Sequence, residues 1–284
     1  MELLVWLNGE LLPQSQAKVS VYDHGFLYGD GIFETLRAYG GKVFRLEDHL
    51  ERLDKSARAI YLEMPWQREE LAAAIQKTME ANKIQEGYIR ISISRGEGPL
   101  GLDPKVCPTP TVVVMAKEIA PYPVEYREKG VEIALVSVRR NIPEALSPQI
   151  KSMNFLNNIL AKVEASQRGA FEGIMLNQEG YLTEGTVSNL FLVQQGKLLT
   201  PPASAGVLEG ITRQVVIEAA EKLQIPFQEI NLTRYDLYNA QEVFLTNSSL
   251  EVMPVTKADG RPIANGLPGT ITQQLAREYK NFIR

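Results

Sequence analysis

Apolar and polar positions follow two periods along this chain, and the switches between them mark its elements. Two-residue alternation marks strands. It runs through "LVWLNGELL", where Asn8-Gly9 supplies a hairpin turn, and through "IFETLRAYGGKVFRL", which turns at Gly40-Gly41. "GYIRISISR" and "TVVVMAK" read as two further strands. Helical spacing takes over between them. Leu46, Leu50, Leu53, Ala57 and Ile60 share one face of "LEDHLERLDKSARAIYL", and Glu47 and Asp48 occupy its first turn, as the helix dipole favours. "REELAAAIQKTMEANK" predicts a second helix.

Residues 1–118 therefore read as a small N-terminal α+β domain and "EIAPYPVEYREKG", with its two prolines, as a linker over 119–129. Residues 130–284 read as a larger, strand-rich domain. It opens with the strand "VEIALVSV". In "IKSMNFLNNILAKVEA" a helix is expected from Met153 on, with Leu156, Leu160 and Val163 at helical spacing and Phe155 and Ile159 widening the stripe. Hairpins follow at "MLNQEGYLTEG" and "FLVQQGKLL", then a helix at "ITRQVVIEAAEKL". "EVFLTNSSLEVMPV" reads as strand, tight turn, strand, and "ITQQLAREYKNFI" as a closing helix. The strands cluster instead of alternating with helices, which argues against a Rossmann sheet.

Composition narrows the function. The chain has 284 residues, 44% of them hydrophobic, enough for two cores. Its 30 basic and 34 acidic residues are mixed along the chain, for a net charge of −4, and no basic block points to nucleic acid. The apolar runs are too short to span a membrane, and the N-terminus reads as a strand, not a signal peptide. The single cysteine, Cys107, excludes an intrachain disulfide and fits a cytoplasmic location. With two histidines, His24 and His49, a His/Cys metal cluster cannot be assembled and a Ser-His triad is poorly supported. Both histidines read as structural.

Four features carry candidate chemistry. Lys151 stands just before an apolar helix, and lysine is the side chain most readily made nucleophilic by desolvation. Glu184 precedes Gly185 at a strand end. Gly210-Ile211-Thr212 begins a helix, where backbone N–H groups favour a phosphate. Ser248-Ser249 offers a second turn rich in N–H groups. Singly these are a solvated lysine, a turn residue and two caps. Together they form the inventory for pyridoxal 5′-phosphate: a Schiff-base lysine, an acid for the pyridine nitrogen and a phosphate cup.

In this order, "HGFLYGDGIFETLRAY", "HLERL", "GYIR", "KSMNFLNN", "YLTEGTVSNLF", "GITR" and "EVFLTNSSLEVMPV" resemble the motifs of the fold type IV, or class IV, pyridoxal-phosphate aminotransferases over nearly the whole chain. The resemblance implies a two-domain α+β fold of the D-amino acid aminotransferase type. It implies that Lys151 bears the cofactor as a Schiff base and that Glu184 pairs with the pyridine nitrogen. Arg52, Ile211, Thr212 and Ser248 are then the phosphate ligands. Tyr28, Phe33, Tyr88, Arg90 and Ser249 line the substrate pocket, which takes amino and 2-oxo acids, and the molecule is at least a homodimer. A non-catalytic relative would have lost Lys151 or Glu184, and both are present.

The branches are harder to separate. "GYIRISISRGEGPLGLDPKVCPTPT" looks like the branched-chain enzymes, whereas "EGTVSNLF" and "TNSSLEVMPV" look more like the lyase and D-amino acid branches. Phe155 stands where branched-chain enzymes usually have tyrosine, and Thr35 where they usually have glycine. The arginine-x-histidine carboxylate trap of the D-amino acid enzymes is absent, since no histidine follows His49. The expected activity is transamination between a branched-chain L-amino acid and 2-oxoglutarate. Aminodeoxychorismate lyase ranks second and D-amino acid aminotransferase third.

Overall fold

The computed structural model of the chain describes residues 2–283. It divides into two compact units: the chain up to Ala120 with Ile150–Asn154, and Pro121–Gln149 with Phe155 onward.

In chain order the first unit contains β1 (Leu4–Leu7), β2 (Glu10–Pro13), α1 (His24–Tyr28), β3 (Gly31–Tyr39), β4 (Lys42–Val43), α2 (Leu46–Ala59), α3 (Arg68–Ala81), β5 (Gly87–Ser94) and β6 (Thr111–Glu118). The strands form a six-stranded sheet in the order β2-β1-β6-β5-β3-β4, with antiparallel neighbours throughout. Both predicted hairpin turns use left-handed backbone, at Asn8-Gly9 and Gly40-Gly41. Alternation then sorts the faces. Ile89, Ile91 and Ile93 of β5 are fully buried with Leu50 and Leu53 of α2 and Leu71 and Ile75 of α3 in one core. Each such side chain contributes roughly 1.5–3 kcal/mol. Tyr88, Arg90 and Ser92 take the other face of β5.

The second unit contains α4 (Val124–Lys129), β7 (Val131–Arg139), α5 (Pro143–Leu146), α6 (Leu156–Gln167), β8 (Glu172–Leu176), β9 (Leu182–Gly185), β10 (Asn189–Gln194), β11 (Lys197–Thr200), α7 (Ile211–Lys222), β12 (Phe227–Glu229), α8 (Arg234–Tyr238), β13 (Glu242–Asn247), β14 (Glu251–Ala258), β15 (Arg261–Pro262) and α9 (Thr270–Ile283). Part of the predicted linker is thus the helix α4. The main path of the sheet runs β12-β11-β10-β13-β14-β7-β8-β9, with β15 on β14. It is mixed, with parallel pairs at β11/β12, β14/β7 and β7/β8, and has no doubly wound order. At its centre Phe191 and Phe244 stack with ring centroids 4.9 Å apart.

Two expectations need correction around Lys151. The helix begins at Leu156, not Met153, and Ile150–Asn154 belongs to the first unit instead of the strand-rich one. The segment is held along β3 by an isolated bridge and two backbone bonds. Phe33 N donates to Lys151 O (2.9 Å), Ile32 bridges Ser152, and Met153 N donates to Gly31 O (2.8 Å). Backbone pairing with β3 outweighed the apolar periodicity that suggested helix.

The apolar stripe of α6 is also not its buried face. Asn158, Ala161 and Ala165 point inward, while Leu156, Ile159, Leu160 and Val163 are 48–67% exposed. The cause is close approach to β8. A Cβ added at Gly173 would lie 3.0 Å from Ala165 Cβ and 3.1 Å from Ala161 O, so only small side chains fit between helix and sheet.

Candidate active site

In the first unit, β3 and its neighbours place two clusters on opposite faces of one strand. Phe33 and Thr35 lie on the β3 face that carries Tyr88 and Arg90 of β5. The register pairs Phe33 with Ser92 and Thr35 with Arg90, which sets diagonal neighbours within reach. The Arg90 guanidinium lies 3.8 Å from the Phe33 ring centroid, and Lys151 Nζ lies 4.7 Å from the same centroid. Tyr88 Oη is 3.4 Å from Thr35 Oγ1, and Arg90 Nε donates to Ser92 Oγ (3.0 Å). Two cations thus share one buried aromatic ring.

Glu34 points to the opposite face of β3, toward α2. Its carboxylate takes a bidentate fork from Arg52, through Nε (2.7 Å) and Nη2 (2.8 Å), and a bond from His49 Nδ1 (2.8 Å). Because a carboxylate only accepts, Nδ1 of a neutral His49 carries the proton. Burial pushes Glu34 upward, but the Arg52 guanidinium and His49 overcome it and hold the carboxyl well below its usual range. Burial pushes His49 downward, and Arg52 and Lys151 push the same way against the pull of Glu34. Arg52 is therefore oriented by a fixed carboxylate, a support that the sequence reading missed. His49 has the structural place expected of it. His24, the other histidine, binds Pro99 O (3.0 Å) through Nε2 and packs edge-on against Tyr28. Tyr28 Oη accepts from Gly101 N (3.3 Å), which ties Tyr28 to the His24 cluster.

In the second unit, Glu184 is the penultimate residue of β9 and is buried. Arg140, just beyond β7, sets Nη2 2.6 Å from its Oε1. Asn189 Nδ2 (3.2 Å) and Leu208 N (2.9 Å) donate to Oε2. Asn189 also donates to Leu208 O (2.8 Å). A Cβ at Gly210 would lie 2.1 Å from Asn189 Oδ1, so glycine at this N-cap lets the start of α7 approach. No side chain caps α7. Its first turn, Ile211-Thr212, thus presents backbone N–H groups close to the anchored carboxylate, the pattern that takes a phosphate.

The Ser248-Ser249 turn departs from expectation in one respect. Ser249 N and Leu250 N both donate to Asn247 Oδ1, at 2.8 and 2.7 Å. That Asx turn uses the Ser249 N–H within the chain. A cavity of about 450 Å³ lies in the same unit, lined by Tyr122, Phe155, Phe171, Glu172, Val187 and Asn247. Glu172 is buried there and receives Thr186 N and Oγ1, Ser188 Oγ and Gly173 N, which stiffens the turn after Glu184. Arg140 and Glu172 carried no local signal, since each reaches its partner only through sheet pairing. Asn189 had a weak one, lying within "YLTEGTVSNLF".

A profile of the family described as amino-transferase class IV matches residues 31–258. A protein of Methanocaldococcus jannaschii provisionally named a branched-chain-amino-acid aminotransferase is 43% identical over 278 residues, covering 98% of this chain and 96% of that one. The D-alanine aminotransferase of Staphylococcus epidermidis is 37% identical over 281 residues, covering 99% of this chain and 98% of that one. Among solved structures, the T.th. branched-chain amino acid aminotransferase with pyridoxamine 5′-phosphate superposes with a TM-score of 0.95 at 36% identity, over 99% of this chain and 94% of that one.

Proposed function

The chain belongs to the class IV aminotransferases, and on that premise we propose that it moves the amino group of a branched-chain L-amino acid to 2-oxoglutarate. As a member of that family it is a pyridoxal-phosphate-dependent enzyme. The observation that carries the reading is the anchored Glu184 carboxylate beside the uncapped start of α7, an acid and an anion cup in one neighbourhood. It fits the two ends of a phosphopyridine.

Lys151 Nζ is the attachment point. Glu184 takes the ring nitrogen, and Arg52, Ile211, Thr212 and Ser248 take the phosphate. When bound, the cofactor supplies an electron sink for the substrate α-carbanion. The chain does the rest. Lys151 Nζ would accept the α-proton as general base and then, as acid, hand it to the cofactor instead of back to the α-carbon. Arg90 pairs with the distal carboxylate of 2-oxoglutarate, and Tyr88 and Phe33 flank an aliphatic side chain, with Tyr28 and Ser249 completing the pocket. Two relatives described by their names as branched-chain enzymes, one of them solved, support this substrate class. The D-alanine aminotransferase likeness favours a second reading, a D-amino acid donor.

The protein works in the cytoplasm as a homodimer. The exposed apolar stripe of α6 supports self-association. No described helix is long and apolar enough to cross a membrane.

The test is a half-reaction on purified, coloured enzyme. L-leucine, L-isoleucine or L-valine should bleach the cofactor's visible absorbance, and 2-oxoglutarate should restore it. Bleaching by D-alanine alone would establish the second reading. Release of pyruvate from aminodeoxychorismate, with no response to either amino acid, would make the protein a lyase.

A further inference from the structure

Glu184 is held by Arg140 as an ion pair inside the protein. The two side chains are 6% and 8% exposed, and Nη2 stands 2.6 Å from Oε1. A second guanidinium nitrogen and the backbone of Arg140 are also placed, while the buried Nε makes no hydrogen bond. Nη1 donates to Asn158 Oδ1 (3.1 Å), and Arg140 N donates to Leu176 O (2.9 Å). Asn158 in turn donates to Thr186 O (2.7 Å), and Thr186 is fastened to Glu172. Residues from the end of β7, from α6, from β8 and from the turn after β9 thus aim one fixed cation at one carboxylate.

That arrangement has a consequence for the ring nitrogen, on the reading of Glu184 given above. A buried acid hydrogen-bonded to a pyridine can share its proton in two ways. In a low-dielectric site the neutral pair, with the proton on the carboxyl, gains because no charges are stranded. The ionic pair keeps the proton on nitrogen, and only that form makes the ring a strong electron sink. A cation bonded to the carboxylate shifts the balance toward the ionic pair, because it stabilises the charged form of the acid. Asn189 Nδ2 and Leu208 N, the two neutral donors on Oε2, act in the same direction. Glu172, of opposite sign to Arg140, is the charged group next along the network and is linked to Glu184 through Thr186, Asn158 and Arg140.

We propose that Arg140 is a positioning residue for Glu184, whose fixed guanidinium keeps the cofactor's ring nitrogen, and not the carboxylate, in possession of the shared proton. It touches neither substrate nor the reacting atoms and acts through Glu184.

The experiment uses holoenzyme reconstituted with pyridoxal 5′-phosphate isotope-labelled at the ring nitrogen and read by nitrogen NMR, with thermal midpoints recorded alongside. Wild type should show a protonated ring nitrogen at neutral pH. Arg140→Met should show an unprotonated one, and turnover should fall by at least about tenfold, as for a shift of one pKa unit. Arg140→Lys keeps a cation without the fork, and serves if the methionine variant does not fold. Its ring nitrogen should lose the proton at a lower pH than wild type. A protonated ring in Arg140→Met, or a wild-type titration in Arg140→Lys, overturns the inference while Glu184→Gln still deprotonates the ring. A protonated ring in Glu184→Gln would instead remove the reading of Glu184 itself, and the inference with it.

Discussion

Lys151 and Arg52 illustrate two ways in which a single side chain acquires chemistry. Lys151 is an ordinary lysine until β3 recruits its backbone and lays its amine over Phe33. Lys151→Ala should fold, since its backbone bonds remain, yet borohydride should no longer fix the cofactor covalently to the protein. Peptide mapping after reduction checks this, and labelling at Lys162 instead would move the attachment point. Arg52 depends on Glu34, whose carboxylate orients the guanidinium. Arg52→Ala should accelerate cofactor loss on dialysis, because one charge-assisted contact is worth about 1.5–3 kcal/mol. The same substitution strands Glu34 beside His49, so the thermal midpoint should fall as well. A variant that loses stability but keeps its cofactor would make Arg52 purely structural.

At the scale of elements, the start of α7 shows how packing brings a helix N-terminus up to the side chain that holds Glu184. Gly210 has an extended backbone that any residue can adopt (φ −69°, ψ 138°), so its glycine is not demanded by conformation. It is demanded by Asn189 Oδ1, 2.1 Å from where a Cβ would stand. Gly210→Ala should therefore push Asn189 away from Glu184 and Leu208. Cofactor affinity should drop about tenfold or more, as one hydrogen bond to a charged group costs about 1.5–3 kcal/mol. A titration of apoenzyme with pyridoxal 5′-phosphate measures it, and unchanged affinity would separate α7 from the site. The same scale explains α6. Its alanines, not its leucines, meet the sheet, because Gly173 lets helix and strand touch.

At the scale of the molecule, the proposed homodimer gives the exposed stripe on α6 a role, and the buried charges under β3 bear on acid stability. Leu160→Asp should shift sedimentation from dimer toward monomer. A wild-type profile that is already monomeric would show that the stripe is not an interface. For acid stability the signs of two groups agree. His49 has a folded value below its ordinary 6.5, because burial disfavours imidazolium, so below pH 6.5 the unfolded chain binds the proton first. Its contribution is full above pH 6.5 and declines as the pH falls toward the folded value, by up to about 1.4 kcal/mol per pH unit. Glu34 has a folded value depressed from 4.5, so its contribution is full above pH 4.5 and is lost as the pH falls through the lowered value. Thermal midpoints should thus decline below pH 6.5 and again below 4.5. His49→Gln should flatten the first decline, and an unaltered slope would show that His49 is not its source.

Local chemistry was legible in the chain as written. The hairpins at Asn8-Gly9 and Gly40-Gly41, the helices α2, α3, α7 and α9, and the alternation that separates Ile89 and Ile91 from Tyr88 and Arg90 all follow from turn residues and periodicity acting over a few positions. The ordered motifs pointed to the family for the same reason, since each is a short stretch. Tertiary structure decided what depends on residues far apart in the chain. Whether Met153 joins a helix was settled by Gly31 on β3, and which face of α6 is buried by Gly173 on β8. The same holds for the charges that matter most. Arg52 found Glu34, 18 positions away, and Arg140 found Glu184 across the sheet. A buried ion pair needs both partners desolvated in one place, and only the folded backbone brings them there.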